Sequence, residues 1–279
     1  MTGSASSSAA VAAVRSPALM AIALRLTSGT ISNFESRRVS RKAGETLATY
    51  LPRLGSVPLE FQPGTRWAYS AGDGFDVLSR VVEVASGMPI NRFMQQRIFD
   101  PLGMKDTTYV PPNSSPRLAK LYSRTADGLR PQQDPGFMDG VYFSGGGGLF
   151  STAEDYVQFA QMLLNDGQLN GRQLLGRRSV EMMRSMYAPD TLPGRPRGEG
   201  YGLSVRVVVD PVARNTYVSE GTFGWSGLFG THFFIDPKEN VVGVLMAQTS
   251  APGITGDFEN AVMQALVGAA SPAAATGTN

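Results

Sequence analysis

Gly221-Thr222-Phe223-Gly224-Trp225-Ser226-Gly227-Leu228-Phe229-Gly230-Thr231-His232-Phe233-Phe234-Ile235-Asp236-Pro237-Lys238-Glu239-Asn240-Val241-Val242-Gly243-Val244-Leu245-Met246-Ala247-Gln248 is the stretch whose reading decides the fold. Its second half predicts a hairpin. Thr231 to Ile235 is β-branched and aromatic, Asp236 to Asn240 has turn chemistry, and Val241 to Met246 returns as an apolar strand. The first half sets Gly221, Gly224, Gly227 and Gly230 in a segment otherwise suited to a strand. Glycine inside a strand marks a bulge or a close approach by another backbone or a ligand. Trp225-Ser226-Gly227 is therefore expected at the rim of a site on an edge strand; the alternative is a glycine-weakened strand with a buried tryptophan.

Outward from this stretch, the closing segment Thr255 to Val267 has helical spacing through Phe258, Val262 and Leu266. Upstream, Tyr201 to Val209 and Arg214 to Glu220 read as strands. Gly74 to Gly87 predicts a buried helix with Phe75, Leu78, Val82 and Ala85 on one face, widened by Val77, Val81 and Val84. Further helices are expected over Glu45 to Leu54, over Ile90 to Phe99 with a stop at Asp100-Pro101, and over Ser179 to Met186. Ser151-Thr152-Ala153-Glu154 reads as a capping box opening a helix through Tyr156, Phe159, Ala160 and Leu163. Val110 to Pro135 reads as loop. Helices first, then meandering strands, then one helix, argue for a mixed α/β (α+β) protein with an antiparallel sheet.

A chain of 279 residues with 42% apolar content can bury a substantial core. Net charge is +2 without a run of like charges, so nucleic acid is not an expected partner. The absence of cysteine excludes disulfides and thiolate chemistry. The single histidine, His232, excludes a multi-histidine zinc site and leaves little room for a Ser-His-Asp triad; on a strand beside Phe233 and Phe234 it reads as structural rather than catalytic. Asp73, Asp76, Asp134 and Asp139 lack the paired spacing of a metal or glycosidase site. Gly145 to Gly148 precedes a helix but lacks phosphate-loop chemistry, so a close-packed loop is the favoured account. No cofactor or metal is expected. Residues 1–26 are low-complexity without a recognisable secretory signal or membrane span, which leaves the cytoplasm as the default location.

Tyr69-Ser70-Ala71 stands at a loop-to-helix junction where polar side chains face clefts. Taken in order, Gln62-Pro63-Gly64-Thr65-Arg66-Trp67-Ala68-Tyr69-Ser70-Ala71, Val77-Leu78, Val81-Val82-Glu83, Ser86-Gly87, Ile98 to Met104, Gly147 to Thr152 and Gly224-Trp225-Ser226-Gly227 resemble the serine β-lactamase and penicillin-binding-protein-like hydrolases. The closest similarity is to the class C-like, family VIII carboxylesterases, from about Thr27 to Met263. The resemblance implies a β-lactamase-like fold: an antiparallel sheet flanked by helices, plus a helical lobe. Residues 27–268 would form this domain, with the helical lobe mainly 74–190, the sheet part mainly 200–268, and a disordered tail at 269–279. It also implies acyl transfer through an acyl-enzyme on a small-molecule ester or amide. By match, Tyr69 falls on the general-base tyrosine, Trp225-Ser226-Gly227 on the family's strand motif, and the Leu228 amide on an oxyanion donor.

Three departures accompany the match. Ala71 replaces an asparagine and Trp225 a lysine, and both favour an ester over a β-lactam. The third is the nucleophile motif, Ser-x-x-Lys. Val39, Leu102, Arg117 and Ile235 stand three positions before Lys42, Lys105, Lys120 and Lys238, so no serine satisfies the spacing. A tyrosine titrates near about 10 in water, so Tyr69 lacks the lysine that would make it a base at neutral pH. Loss of a nucleophile costs on the order of 10⁶ in turnover. The expectation is a truncated or rearranged family member, esterase-type by ancestry and impaired or inactive. Ser28, Ser70, Ser144 and Ser226 are the candidate substitute serines. The alternative is a non-catalytic ligand- or partner-binding module, with possible self-association through the surface left by the missing segment.

Overall fold

The computed structural model describes residues 39–58, 61, 65–69, 73–111, 116–132, 140–188, 192–249 and 253–266. The expectations for residues 1–26 and 269–279, and those for Ser28, Ser70, Ala71, Asp134 and Asp139, lie outside them.

The first helix, α1 (Leu47–Leu54), opens where the Thr46 amide donates to Thr49 Oγ1 at 3.0 Å. It buries Leu47, Tyr50, Leu51 and Leu54, the i, i+3, i+4, i+7 stripe of an amphipathic helix. These side chains meet Val77 of α2 (Asp73–Ser86) and Ile90 of α3 (Ile90–Met94) in one apolar cluster. Gly87, with φ +70°, closes α2 in the left-handed region open to glycine. The predicted face of α2 is not the buried one. Val77 is sealed, whereas Leu78 is 45% exposed and Ala85 is exposed. Asp76 fixes the rotation: its carboxylate accepts from Tyr142 Oη (2.6 Å), Ser144 Oγ (2.6 Å) and the Gly145 amide (2.7 Å), and so must point inward.

The expected stop at Asp100-Pro101 does not occur. α3 widens into a π turn over Gln95–Phe99 and continues as α4 (Asp100–Leu102), ending at Gly103 with φ +72°. Pro101 lacks the amide and its ring crowds the carbonyl four residues back, so the helix passes it by loosening one turn. Within the segment read as loop, β1 (Tyr122–Thr125) and β2 (Gly128–Pro131) pair antiparallel. Helix α5 (Ala153–Leu164) is capped by Thr152, whose hydroxyl accepts from the Asp155 amide at 3.2 Å, so the cap sits one residue beyond the predicted Ser151. Ser151 instead shares a hydrogen bond with Thr107. β3 (Gln168–Leu169) and β4 (Arg172–Gln173) flank the Asn170-Gly171 turn, and α6 (Arg177–Met183) follows.

The main sheet has five antiparallel strands in sequence order: β5 (Glu199–Tyr201), β6 (Arg206–Val208), β7 (Phe223–Ser226), β8 (His232–Asp236) and β9 (Val241–Leu245). Two strand expectations are corrected. Tyr201 to Val209 divides into a hairpin because Ser204, φ +66°, turns the chain inside an otherwise strand-like run. Arg214 to Glu220 is not a strand. Asp210 caps a short helix, α7 (Pro211–Arg214), by accepting from the Ala213 amide, with Pro211 at a helix start where its missing amide costs nothing.

Alternation along the strands supplies both faces of the sheet. Val207, Phe223, Phe233 and Ile235 pack with Ala160, Met162 and Leu163 of α5. Val208 and Phe234 turn the other way and meet Phe258, Val262 and Met263 of α8 (Ile254–Ala265). All five residues of β8 are buried between these layers, at about 1.5–3 kcal/mol for each large apolar side chain. The β8–β9 turn is set by Asp236, whose Oδ1 accepts from the Lys238 and Glu239 amides at 3.0 and 3.1 Å.

Candidate active site

Strand β7 was expected at an edge and is instead central. Its pairing with β6 nevertheless stops at Gly224, so Trp225 and Ser226 run past the end of β6. Gly224 is needed there: a Cβ would stand 2.1 Å from the Phe233 carbonyl oxygen and 2.8 Å from Phe234 Cα. Close approach of two backbones explains this glycine, and the shortness of β6 explains the open end.

Trp225 turns to the α5 side, and there the structure brings it against Tyr69, with ring centroids 5.2 Å apart. Tyr201 of β5 packs edge-on against the indole at 5.5 Å, and Trp67 packs on Tyr201 at 5.9 Å. Two residues apart on an extended segment, Trp67 and Tyr69 share a side of the chain. The Trp67 amide donates to the Pro193 carbonyl at 3.0 Å, which ties this segment to the loop before β5. Tyr69 remains 42% exposed, so the cluster has an aromatic floor and is open to solvent at Tyr69. Burial, and secondarily the neighbouring Tyr69, push the Tyr201 phenol up to about 12. Among the described residues no lysine or arginine hydrogen-bonds the Tyr69 hydroxyl.

Gly227 and Leu228 follow β7 into solvent, with Leu228 78% exposed. The Gly227 amide donates to the Thr231 carbonyl at 2.7 Å, while the Leu228 amide has no backbone partner among the described residues. Ser144, a substitute-serine candidate, is committed elsewhere: its hydroxyl donates to Asp76, and its carbonyl accepts from Tyr109. Gly145 of the tetraglycine packs on α2, where a Cβ would meet Ser79 Oγ at 2.2 Å and the Phe75 carbonyl at 2.3 Å. A cavity of about 180 Å³ beside the π turn, lined in part by Asn91, Gln95 and Tyr109, shares no residue with the aromatic cluster.

Behind β7 lies a buried polar network that the sequence reading missed. Ser226 Oγ is 2.9 Å from His232 Nδ1, directly across the β7–β8 pair, and His232 Nε2 is 3.0 Å from Glu259 Oε1 on α8. Glu259 also pairs with Arg206 of β6 and, at 2.7 Å, with Arg214 of α7; Arg214 in turn pairs with Glu199 of β5 at 2.8 Å. Burial opposes the charge on Glu259, but the His232 hydrogen bond and the two guanidiniums outweigh it and hold the carboxyl down to about 2. The available signal was a glutamate next to Phe258 and one turn before Val262, on a helix face where only a partnered charge is tolerated.

The comparisons agree with this architecture. A family model described as Beta-lactamase matches residues 19–266. Protein Rv1367c of Mycobacterium tuberculosis is 33% identical over 234 residues, covering 78% of this chain and 57% of the relative. Lovastatin esterase of Penicillium rubens is 34% identical over 231 residues, covering 73% of this chain and 55% of the relative. The chain thus spans a little over half the length of these curated relatives. The solved structure of EstCE1, a hydrolase with promiscuous acyltransferase activity, superposes with a TM-score of 0.70 at 25% identity, covering 90% of this chain and 71% of that one. Matched over most of its length, the chain belongs to the β-lactamase family of serine hydrolases, penicillin-binding-protein-like esterases included.

Proposed function

We propose that the Tyr69–Trp225 cluster is the acyl-binding wall of a carboxylesterase-type site whose turnover in this chain is weak. The observation that carries the reading is the 5.2 Å packing of Tyr69, from a loop-to-helix corner, on Trp225, from the family's strand motif. The aromatic floor formed with Tyr201 and Trp67 suits an apolar acyl or alcohol group. In this reading the Leu228 amide faces the developing oxyanion. An indole at position 225 offers no cation to a β-lactam carboxylate, so the substrate is an ester. In this reading, that no lysine or arginine among the described residues hydrogen-bonds the Tyr69 hydroxyl, together with the missing Ser-x-x-Lys spacing in these 279 residues, accounts for weak turnover.

The test is hydrolysis of p-nitrophenyl acetate and butyrate, with a chromogenic cephalosporin as the β-lactam arm. The expected result is slow, saturable ester hydrolysis, no cephalosporin opening, and at least a tenfold loss in Tyr69→Phe. Ester turnover unchanged by Tyr69→Phe, or faster opening of the cephalosporin, contradicts the reading. That no basic side chain among the described residues hydrogen-bonds the Tyr69 hydroxyl also favours a second reading, a non-catalytic ligand- or partner-binding module with self-association. Its signature would be an ester-induced rise in melting temperature without hydrolysis, or a dimer by light scattering.

A further inference from the structure

The cavity beside the π turn encloses about 180 Å³, several times the roughly 30 Å³ that a water molecule takes up in the liquid. Asn91, Arg92, Gln95 and Phe99 line it from the helix, and Thr108, Tyr109 and Val110 line it from the segment beyond α4. The π turn begins at Gln95 and ends at Phe99, so the widened stretch of helix is itself part of the wall. Single π turns recur at functional sites. Two side chains here lack partners. Asn91 Oδ1 is buried and accepts no hydrogen bond among the described residues. A buried acceptor left unpaired costs stability and calls for a physical account. Arg92 is exposed, and among the described residues its guanidinium enters no ion pair or hydrogen bond, whereas Arg80 of α2 pairs with Glu83 at 3.0 Å. The other groups sort by chemistry. Gln95 Nε2 donates to Asp100 at 2.5 Å and Tyr109 Oη to the Ser144 carbonyl at 3.2 Å, so both are committed. Thr108 Oγ1 accepts from the Val110 amide at 3.1 Å, which leaves its proton to donate. Phe99 is buried and, with the Tyr109 ring and Val110, supplies apolar surface.

We propose that this cavity is a binding site for a small α-hydroxy acid. The ligand's carboxylate pairs with the Arg92 guanidinium and accepts from the Thr108 hydroxyl. Its hydroxyl donates to Asn91 Oδ1, the buried acceptor that has no donor, and its apolar substituent lies on Phe99 and Val110. A plain carboxylate would leave Asn91 unpaired, and a neutral alcohol would leave Arg92 unpaired. In a cavity of this size the two polar groups must stand close together, and an α-hydroxy acid carries both on adjacent carbons. An α-amino acid has the same spacing, but its ammonium would add a second cation beside Arg92, with no acidic residue in the lining to balance it. The cavity shares no residue with the aromatic cluster, so the proposal stands apart from the acyl-site reading.

The test is isothermal titration calorimetry of the full chain with α-hydroxyisovalerate and with isovalerate, which differs only in lacking the hydroxyl. The expected result is a single binding event for the hydroxy acid, saturable below about 20 mM and at least tenfold tighter than for isovalerate. Arg92→Met, which alters an exposed side chain, should weaken the hydroxy acid by tenfold or more. Asn91→Ala should erase the preference between the two acids, and Trp225→Ala should leave both affinities unchanged. Should Asn91→Ala fail to fold, the matched acids on the unaltered chain and on Arg92→Met still decide. No binding of either acid, with water as the only occupant, overturns the site. Equal affinity for the two acids, or indifference to Arg92→Met, does the same. Loss of binding in folded Trp225→Ala also overturns it, by placing the acid in the aromatic cluster instead.

Discussion

Glu259 carries more of this structure than any residue in the recognisable motifs. One carboxylate receives Arg206, Arg214 and His232, and so ties β6, α7 and β8 to α8. Removing its charge while both guanidiniums stay buried leaves Glu199 as the one carboxylate for two arginines, so Glu259→Gln should cost about 3–5 kcal/mol in a urea melt. A loss under about 1 kcal/mol would show that the pairs contribute little. The pH dependence has a definite sign. Glu259 is depressed to about 2 when folded and titrates near about 4.3 when unfolded, so the contribution is full above the higher value. It is lost as pH falls from there toward 2, and urea midpoints between pH 5 and pH 2 should fall more steeply for the unaltered protein than for Glu259→Gln. Asp76 plays the corresponding part on the helical side. Asp76→Ala strands Tyr142 Oη, Ser144 Oγ and the Gly145 amide, and a loss of about 2–4 kcal/mol is expected.

Among the elements, β7 is limited by its neighbours' backbones rather than by its own propensity. Gly224→Ala would drive a methyl into the β8 main chain at Phe233, which cannot move aside without opening the sheet. A loss above about 3 kcal/mol, or failure to fold, is expected. Gly147→Ala is the contrast. Its Cβ would meet nothing within 4 Å, and its backbone is not left-handed, so the melting temperature should stay within a degree or two. A Gly224→Ala protein as stable as Gly147→Ala would show that β7 and β8 do not approach as closely as the structure has them.

At the scale of the molecule, what was legible followed local chemistry. The β8–β9 hairpin was readable because Asp236 both begins the turn and accepts its amides. The joining of Tyr69 and Trp225, 156 positions apart, came only through resemblance, since nothing local in either segment points to the other. The β5–β6 hairpin was hidden because Ser204 adopts positive φ inside a run of strand-forming residues. The α3–α4 helix was cut short on paper because a proline was read as a stop where a π turn accommodates it. The His232–Glu259 contact spans 27 positions and two element types, so neither periodicity could reveal it. His232 was rightly placed on a strand, but its hydrogen bonds were invisible.

The most direct measurement of the central claim is kcat/KM for p-nitrophenyl butyrate in Trp225→Ala against the unaltered chain. Tyr187→Ala, an exposed tyrosine outside the aromatic cluster, serves as the control. If Tyr69 and Trp225 together form the acyl wall, Trp225→Ala falls by tenfold or more while Tyr187→Ala does not change. Equal values for all three folded proteins would contradict the account.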